Sequence, residues 1–170
     1  MIRPMFKDGR SKKIVFVAHC VLNQNAISDG TAVFPGSIQE ILELLTTSMV
    51  GIIQMPCPEL MCLGLDRGNE KGRFSPVVEE NTRIRESMEN EPTKCLIEQM
   101  AKDVVHQILE YKRHDFEILG IIGADRSPSC GVNTTSIDNK EIEGRRVSCR
   151  DFAEKATTCL THTGSNAPQK

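Results

Sequence analysis

The chain has 170 residues, of which 39% are hydrophobic and 26% are charged, as in an ordinary soluble globular protein with a sizeable core. A net charge of −2, a single Tyr and no Trp argue against a nucleic-acid partner and against attraction to anionic membranes. No apolar run reaches transmembrane length, and the first 13 residues contain no apolar signal-peptide region, so we expect a cytoplasmic protein with no membrane partner.

The sequence contains seven cysteines. An odd number of cysteines in a reducing compartment disfavours a disulfide framework. Metal binding or thiol chemistry is the alternative for some of them, and inert buried thiols are expected for the rest.

The first elements in chain order are a strand, a loop and a helix. After a lead-in at residues 1–12 that we expect to be mobile, "KKIVFVAHC" (12–20) predicts a buried strand. The turn residues in 21–36 predict a loop. A capping box formed by Ser37 and Glu40 predicts the start of a helix with an apolar stripe.

The same alternation continues through the middle of the chain. "VGIIQMP" (50–56) predicts a second strand, and the polar stretch after it predicts at least one helical turn around 80–89. Pro92 suits the first turn of a helix at about 93–112, and "FEILGIIG" (116–123) predicts a third strand. That helix carries apolar residues at i, i+3 and i+4 spacing, from Ile97 to Leu109.

The C-terminal part gives weaker signals. "KEIEGRRVS" (140–148) predicts a short strand pair, and "CRDFAEKATTCL" (149–160) predicts a terminal helix. Residues 161–170 are typical of a flexible tail, so we expect a single α/β domain over 1–160.

Alternating apolar strands and amphipathic helices predict a three-layer, Rossmann-like α/β domain with a mainly parallel sheet. Right-handed crossovers place the C-terminal ends of parallel strands at one edge, where ligands bind in open α/β sheets. The three predicted strands each precede a cysteine, namely Cys20, Cys57 and Cys130. We therefore expect these three thiols at one edge of the sheet.

Three thiolates from three loops can hold a metal centre. The cysteines lie 37 and 73 residues apart, unlike the close cysteine pairs of structural zinc sites. Cys57 and Cys62 form a closer pair, and Cys-Pro after a strand also occurs at iron–sulfur clusters. Three cysteines on a four-iron cluster would leave one iron open, and an open metal position is typical of a site that binds substrate.

The stretches "AHCVLNQN", "PCPE" and "SPSCG", in this order and at these separations, resemble the thiouracil desulfurase (TudS) family, formerly a domain of unknown function. The resemblance covers roughly residues 13–135. It implies a [4Fe-4S] cluster whose ligands are Cys20, Cys57 and Cys130. It also implies that the open iron takes the sulfur of a thiolated substrate, which leaves as sulfide.

The resemblance further implies a carboxylate and a serine near the cluster. Glu59 of "CPE" matches the carboxylate, and Ser127 or Ser129 of "SPSCG" matches the serine. With Glu59 as general base or proton shuttle and a serine orienting the substrate, we expect hydrolytic removal of sulfur without net electron transfer.

Two stretches depart from the family. "VAHCVLNQN" stands where a "SACLLG"-like stretch is usual, and "LMCLGLDRG" replaces a Gly-Gly-Leu and Pro-Arg segment after "CPE". Both border the expected pocket, so we expect a divergent branch acting on another small thiolated compound, such as a nucleobase or nucleoside. The candidates for substrate binding are His19, Asn23, Gln24 and Asn25, against purely local hydrogen bonding in the loop.

Two other functions stay open. The first is a non-catalytic iron–sulfur or metal-binding module, for example a sensor or sulfur carrier. The second is a cluster-free enzyme with Cys130 as nucleophile. The sequence does not choose between a monomer and a homodimer.

Several further residues have lesser predicted roles. Cys62 either approaches the cluster or packs in its loop, and Arg67 and Arg73 are interpreted as surface residues rather than ligands of an anionic substrate. The amides of 129–131 could form an anion-binding nest. The cysteines expected to be structural are Cys95, Cys149 and Cys159.

Overall fold

The computed structural model describes residues 7–131 and 134–143. The predicted terminal helix at 149–160, the tail at 161–170, and Cys149 and Cys159 lie outside the described residues, as does the lead-in before residue 7.

A three-stranded parallel sheet forms the centre of the fold. Its strands are β1 (Lys13–Ala18), β2 (Gly51–Met55) and β3 (Glu117–Ile122), in the order β2-β1-β3. The central strand is buried at every position after Lys13, as expected for a strand with helices over both faces. The predicted α/β architecture with a mainly parallel sheet is confirmed.

Five α-helices accompany the sheet within the described ranges. They are α1 (His19–Leu22), α2 (Gln39–Thr47), α3 (Pro58–Leu63), α4 (Val77–Met88) and α5 (Glu91–Arg113). Short 3₁₀ turns lie at Gln24–Ala26 and Gly72–Phe74. The loop predicted at 21–36 therefore begins inside α1, and the first strand ends at Ala18. No helix in the described part of the chain is both long and apolar enough to cross a membrane.

The hydrophobic core lies between β1 and the longest helices. The stripe predicted on α5 is buried, with Pro92 in the first turn as expected, although Leu109 is exposed. The innermost residues of the core are Phe16, Val17, Val21, Ile84, Ala101, Val104 and Ile108.

The predicted capping box at Ser37 is wrong. The helix begins at Gln39 with Ile38 as the N-cap residue, and no side chain caps it. Backbone hydrogen bonds from Ile38 N to Val21 O (3.0 Å) and from Gln24 N to Gly36 O (2.6 Å) tie the connection to the segment after β1. These tertiary bonds hold Ser37 ahead of the helix and override the local capping signal.

The strand pair predicted within 140–148 is shifted towards the N-terminus. Thr134–Ile137 (β4) pairs antiparallel with Lys140–Glu143 (β5), so "KEIE" is the second strand of the hairpin. The turn residues Asp138 and Asn139 have φ of 50° and 57°. Positive φ at both central residues is typical of a type I′ turn, whose twist matches that of the two antiparallel strands.

Candidate functional site

Each of the three cysteines lies beyond the C-terminal end of a different sheet strand. Cys20 is in α1, directly after β1, and Cys57 is the N-cap residue of α3, after β2. Cys130 follows β3 in the "SPSCG" loop. Because the strands are parallel, all three segments leave the sheet at the same edge.

The surroundings of these thiols oppose ionisation. Burial, followed by the negative charge of Glu59, raises the pKa of Cys57 to about 11 and also raises the pKa of Cys20. Burial raises the pKa of Cys130 as well, and negative charge on Glu59, Cys57 or Cys20 raises it further. Without a cation to offset these effects, the three thiols stay protonated at neutral pH.

Glu59 joins the second and third of these segments. It is only 6% exposed, and its Oε1 accepts hydrogen bonds from Ser129 Oγ at 2.6 Å and Ser127 Oγ at 2.9 Å. Oε2 faces Arg67 Nε at 3.3 Å. The carboxylate predicted to act at the site therefore binds both candidate serines.

The two serines have different surroundings. Ser127 Oγ accepts the backbone N–H groups of Ser129 (3.2 Å) and Cys130 (3.0 Å) while its hydroxyl donates to Glu59. Ser129 Oγ lies 3.5 Å from the sulfur of Cys130 as well as next to Glu59. Ser127 therefore fixes the loop, and Ser129 touches both the carboxylate and a thiol.

The anion-binding nest predicted at 129–131 is wrong. The N–H groups of Ser129 and Cys130 donate to Ser127 Oγ, and Gly131 N donates to Ser127 O at 3.2 Å. These amides are used inside the loop and do not point at a common ligand.

The interpretation of Arg67 as a surface residue is also wrong. Its side chain is 2% exposed, and besides Glu59 it binds the backbone oxygens of Ala26, Gly64 and Leu65. No sequence signal identifies this burial, because its partners are backbone carbonyls. Arg73 is exposed, with its guanidinium 4.8 Å from the ring centre of Phe74.

The polar residues after β1 mainly bind one another. Asn23 Oδ1 accepts from the backbone N–H (3.1 Å) and Nδ2 (3.0 Å) of Asn25. Gln24 is buried, and its Nε2 donates to Cys20 O at 2.8 Å. His19 Nδ1 lies 2.8 Å from Gln54 Nε2. The contacts of Asn23, Asn25 and Gln24 agree with local hydrogen bonding in the loop, whereas His19 contacts β2. Gln24 braces the segment that carries Cys20.

The two remaining described cysteines differ in burial. Cys62 is partly buried and packs against the core, and burial raises its pKa. Cys95 is exposed on α5.

Within residues 7–131 and 134–143, no three His, Cys, Asp or Glu side chains form a group that could hold a metal ion. A single zinc ion needs its ligands about 2.3 Å from one centre, whereas a four-iron cluster carries each cysteine on a different iron. Three soft thiol donors from three segments suit in type and number a four-iron cluster that leaves one iron without a protein ligand. The residues that would hold it are Cys20, Cys57 and Cys130.

Comparison with known proteins assigns no activity to the chain. It is similar to an uncharacterized protein of Methanocaldococcus jannaschii, with 28% identity over 123 residues that cover 72% of this chain and 70% of the relative. No protein-family profile and no solved structure matches the sequence. The resemblance to thiouracil desulfurases stays a prediction.

Proposed function

We propose that this protein is a [4Fe-4S]-dependent desulfurase that removes sulfur from a small thiolated compound, such as a nucleobase or nucleoside. The observation that carries the proposal is the contact of Ser129 Oγ with both Glu59 Oε1 (2.6 Å) and Cys130 Sγ (3.5 Å). This contact links Glu59 and Ser129, the expected proton-transfer groups, to Cys130, an expected cluster ligand. When bound, the cluster supplies a Lewis-acidic iron with affinity for soft sulfur.

The reaction replaces C=S by C=O. Water supplies the oxygen, its two protons leave with the sulfur as hydrogen sulfide, and no electrons are transferred. Glu59 accepts the proton of the attacking water, since a positioned carboxylate is a suitable general base. Ser129 hydrogen-bonds this carboxylate and relays the proton towards the departing sulfur.

Burial of these groups supports the proposal. Glu59 and Ser129 are both buried, and the guanidinium of Arg67 balances the carboxylate charge. Hydrogen bonds are stronger in such a water-poor site than at the surface, so the orientation of the carboxylate is well defined. Ser127 keeps the loop closed beside it.

A cysteine-nucleophile enzyme is the weaker candidate. Nucleophilic cysteines need a lowered pKa, whereas burial raises the pKa of Cys130. His19, the histidine nearest to the cysteines in sequence, is paired with Gln54. A non-catalytic iron–sulfur module would share the cluster but would not turn over thiolated compounds.

The test begins with anaerobic reconstitution with iron and sulfide, followed by visible absorption, electron paramagnetic resonance and iron and sulfide analysis. We expect about four iron and four sulfide per chain. The cluster should be lost in Cys20→Ala, Cys57→Ala and Cys130→Ala. The matched control is Cys95→Ala, which removes an exposed thiol and should retain the cluster.

The loaded protein is then assayed for sulfide release from thiolated nucleobases and nucleosides, against the oxygen analogues as blanks. Sulfide release by the cluster-loaded wild type, and not by the protein without a cluster, supports a desulfurase. A stable cluster without turnover on any thiolated compound favours the non-catalytic module. Absence of a cluster from reconstituted wild type contradicts the proposal and favours the cysteine nucleophile.

A further inference from the structure

Three segments of the chain carry the cysteines, and we name them here by their residues. The first segment is 19–36, after β1, the second is 57–68, after β2, and the third is 124–131, after β3. The first two belong to the two crossovers of the sheet and the third follows its last strand, so nothing in the strand register alone fixes the distances between them.

One buried guanidinium connects all three segments. Arg67 Nη2 donates to Ala26 O of the first segment at 2.6 Å. Nη1 donates to Gly64 O at 2.8 Å and to Leu65 O at 3.2 Å, both in the second segment. Nε donates to Glu59, whose other oxygen receives the serines of the third segment.

The planar guanidinium suits this arrangement. It has five N–H donors in a rigid fork, and four of the contacts above use them in fixed directions. Lysine has one compact ammonium group and cannot reach carbonyls on opposite sides of the fork while it binds the carboxylate. The Arg67 side chain is only 2% exposed, so solvent does not compete for these hydrogen bonds.

We infer that Arg67 is the positioning residue of the site, holding the three cysteine-bearing segments together and aiming Glu59 at the serines before any cofactor arrives. The inference rests on the proposed function for its purpose, but its structural content is a property of the cluster-free protein. Arg67 itself touches no reacting atom and acts through Glu59 and the two backbone segments.

The test is hydrogen–deuterium exchange, read by mass spectrometry on cluster-free protein. We expect Arg67→Met to raise the exchange rate in 19–36 and 57–68 about tenfold and to leave β1 protected. The control Arg85→Met removes another buried guanidinium, which binds Thr135 of the hairpin, and should leave 19–36 unchanged. Equal exchange in wild type and Arg67→Met would overturn the inference.

Two further variants guard against general unfolding. Arg67→Met with Glu59→Gln removes both charges of the buried pair, and we expect it to fold while 19–36 still exchanges fast. Arg67→Met should also lower the cluster occupancy after reconstitution, measured by visible absorption. Arg67→Lys keeps the charge beside Glu59 but loses the fork, so it should recover part of that occupancy and leave 19–36 exchanging fast. Uniformly faster exchange along the double variant would contradict a positioning role.

The exchange measurement uses neither iron nor substrate. If wild type takes up no cluster, the proposed function fails, even where 19–36 and 57–68 exchange faster in Arg67→Met as expected. If wild type turns over substrate and Arg67→Met shows no local loosening, the proposed function stands and the inference about Arg67 fails.

Discussion

The third cysteine segment has no space for a side chain at Gly131, and this gives a sharp test of its geometry. A Cβ at this position would lie 2.5 Å from Thr134 O and 2.9 Å from Ser127 O. Both atoms belong to the backbone, so neither can move aside as the end of a flexible side chain would. Gly131→Ala must therefore open the loop between Ser127 and Thr134.

The stability that Gly131→Ala is expected to lose follows from the size of this overlap. Forcing one extra methyl group into a well-packed site destabilises a protein by about 1–3 kcal/mol. A central value of about 2 kcal/mol lowers the melting temperature of a domain of this size by about 4–8 °C. The opened loop also withdraws Ser127 Oγ from the N–H of Cys130, so we expect reduced cluster occupancy in addition.

Gly36→Ala is the matched control, since no heavy atom lies within 4 Å of its added Cβ. Removing a glycine from a compatible position stabilises a protein by about 0.4–1 kcal/mol through the unfolded chain. Melting of the cluster-free variants is followed by circular dichroism in reducing, anaerobic buffer. The inference that the loop is closely packed is refuted by either of two results. One is that Gly131→Ala melts within about 1 °C of wild type. The other is that Gly36→Ala lowers the melting temperature as much as Gly131→Ala does.

Other predictions address the chemistry of the site. Glu59→Gln should keep the cluster but lose about 10²–10⁴-fold in kcat for sulfide release, and full activity would exclude a general base. Ser127→Ala leaves two amides of the loop without their acceptor, so urea unfolding should give a free energy of unfolding about 1–3 kcal/mol lower. The control Ser48→Ala, at an exposed position at the end of α2, should leave it unchanged. The pKa of Cys57 is raised on folding from 9.0 to about 11, so its contribution to cluster-free stability is present below pH 9 and lost as the pH rises towards 11. Urea midpoints between pH 8 and pH 11 should show this decline, and Cys57→Ala should reduce it without abolishing it, because burial also raises the pKa of Cys20 and Cys130.

The sheet could be predicted from sequence because its strands are short runs of apolar residues with clear ends. The segment around α4 could not be predicted in full, because this helix buries polar side chains. Glu80, Asn81, Thr82 and Arg85 are all buried, and Asn81 Nδ2 donates to Arg126 O at 3.1 Å. Such a face gives no hydrophobic periodicity, although it contacts the third segment at Arg126 and packs against the hairpin.

The candidate site also has residues that could be predicted from sequence and one, Arg67, whose burial could not. The cysteines and Glu59 could be proposed as candidates from sequence because they follow strand ends in motifs. The buried position of Arg67 is set by carbonyl oxygens 41 residues away, at Ala26, and in its own turn at Gly64. Every residue has a carbonyl, so no pattern of side chains predicts which one will receive a guanidinium.

The hydrogen bond between Glu59 and Ser129 also has a consequence for how the protein folds. It spans 70 residues, and the bond from Arg67 to Ala26 spans 41. Contacts of such high sequence separation close long loops, which delays them relative to helix formation and makes parallel sheets slow to form. The candidate site is thus completed only after β3 pairs with β1 and the third segment reaches Glu59, so a ribosome-bound chain that ends before Ser129 has all of the first two segments and no site.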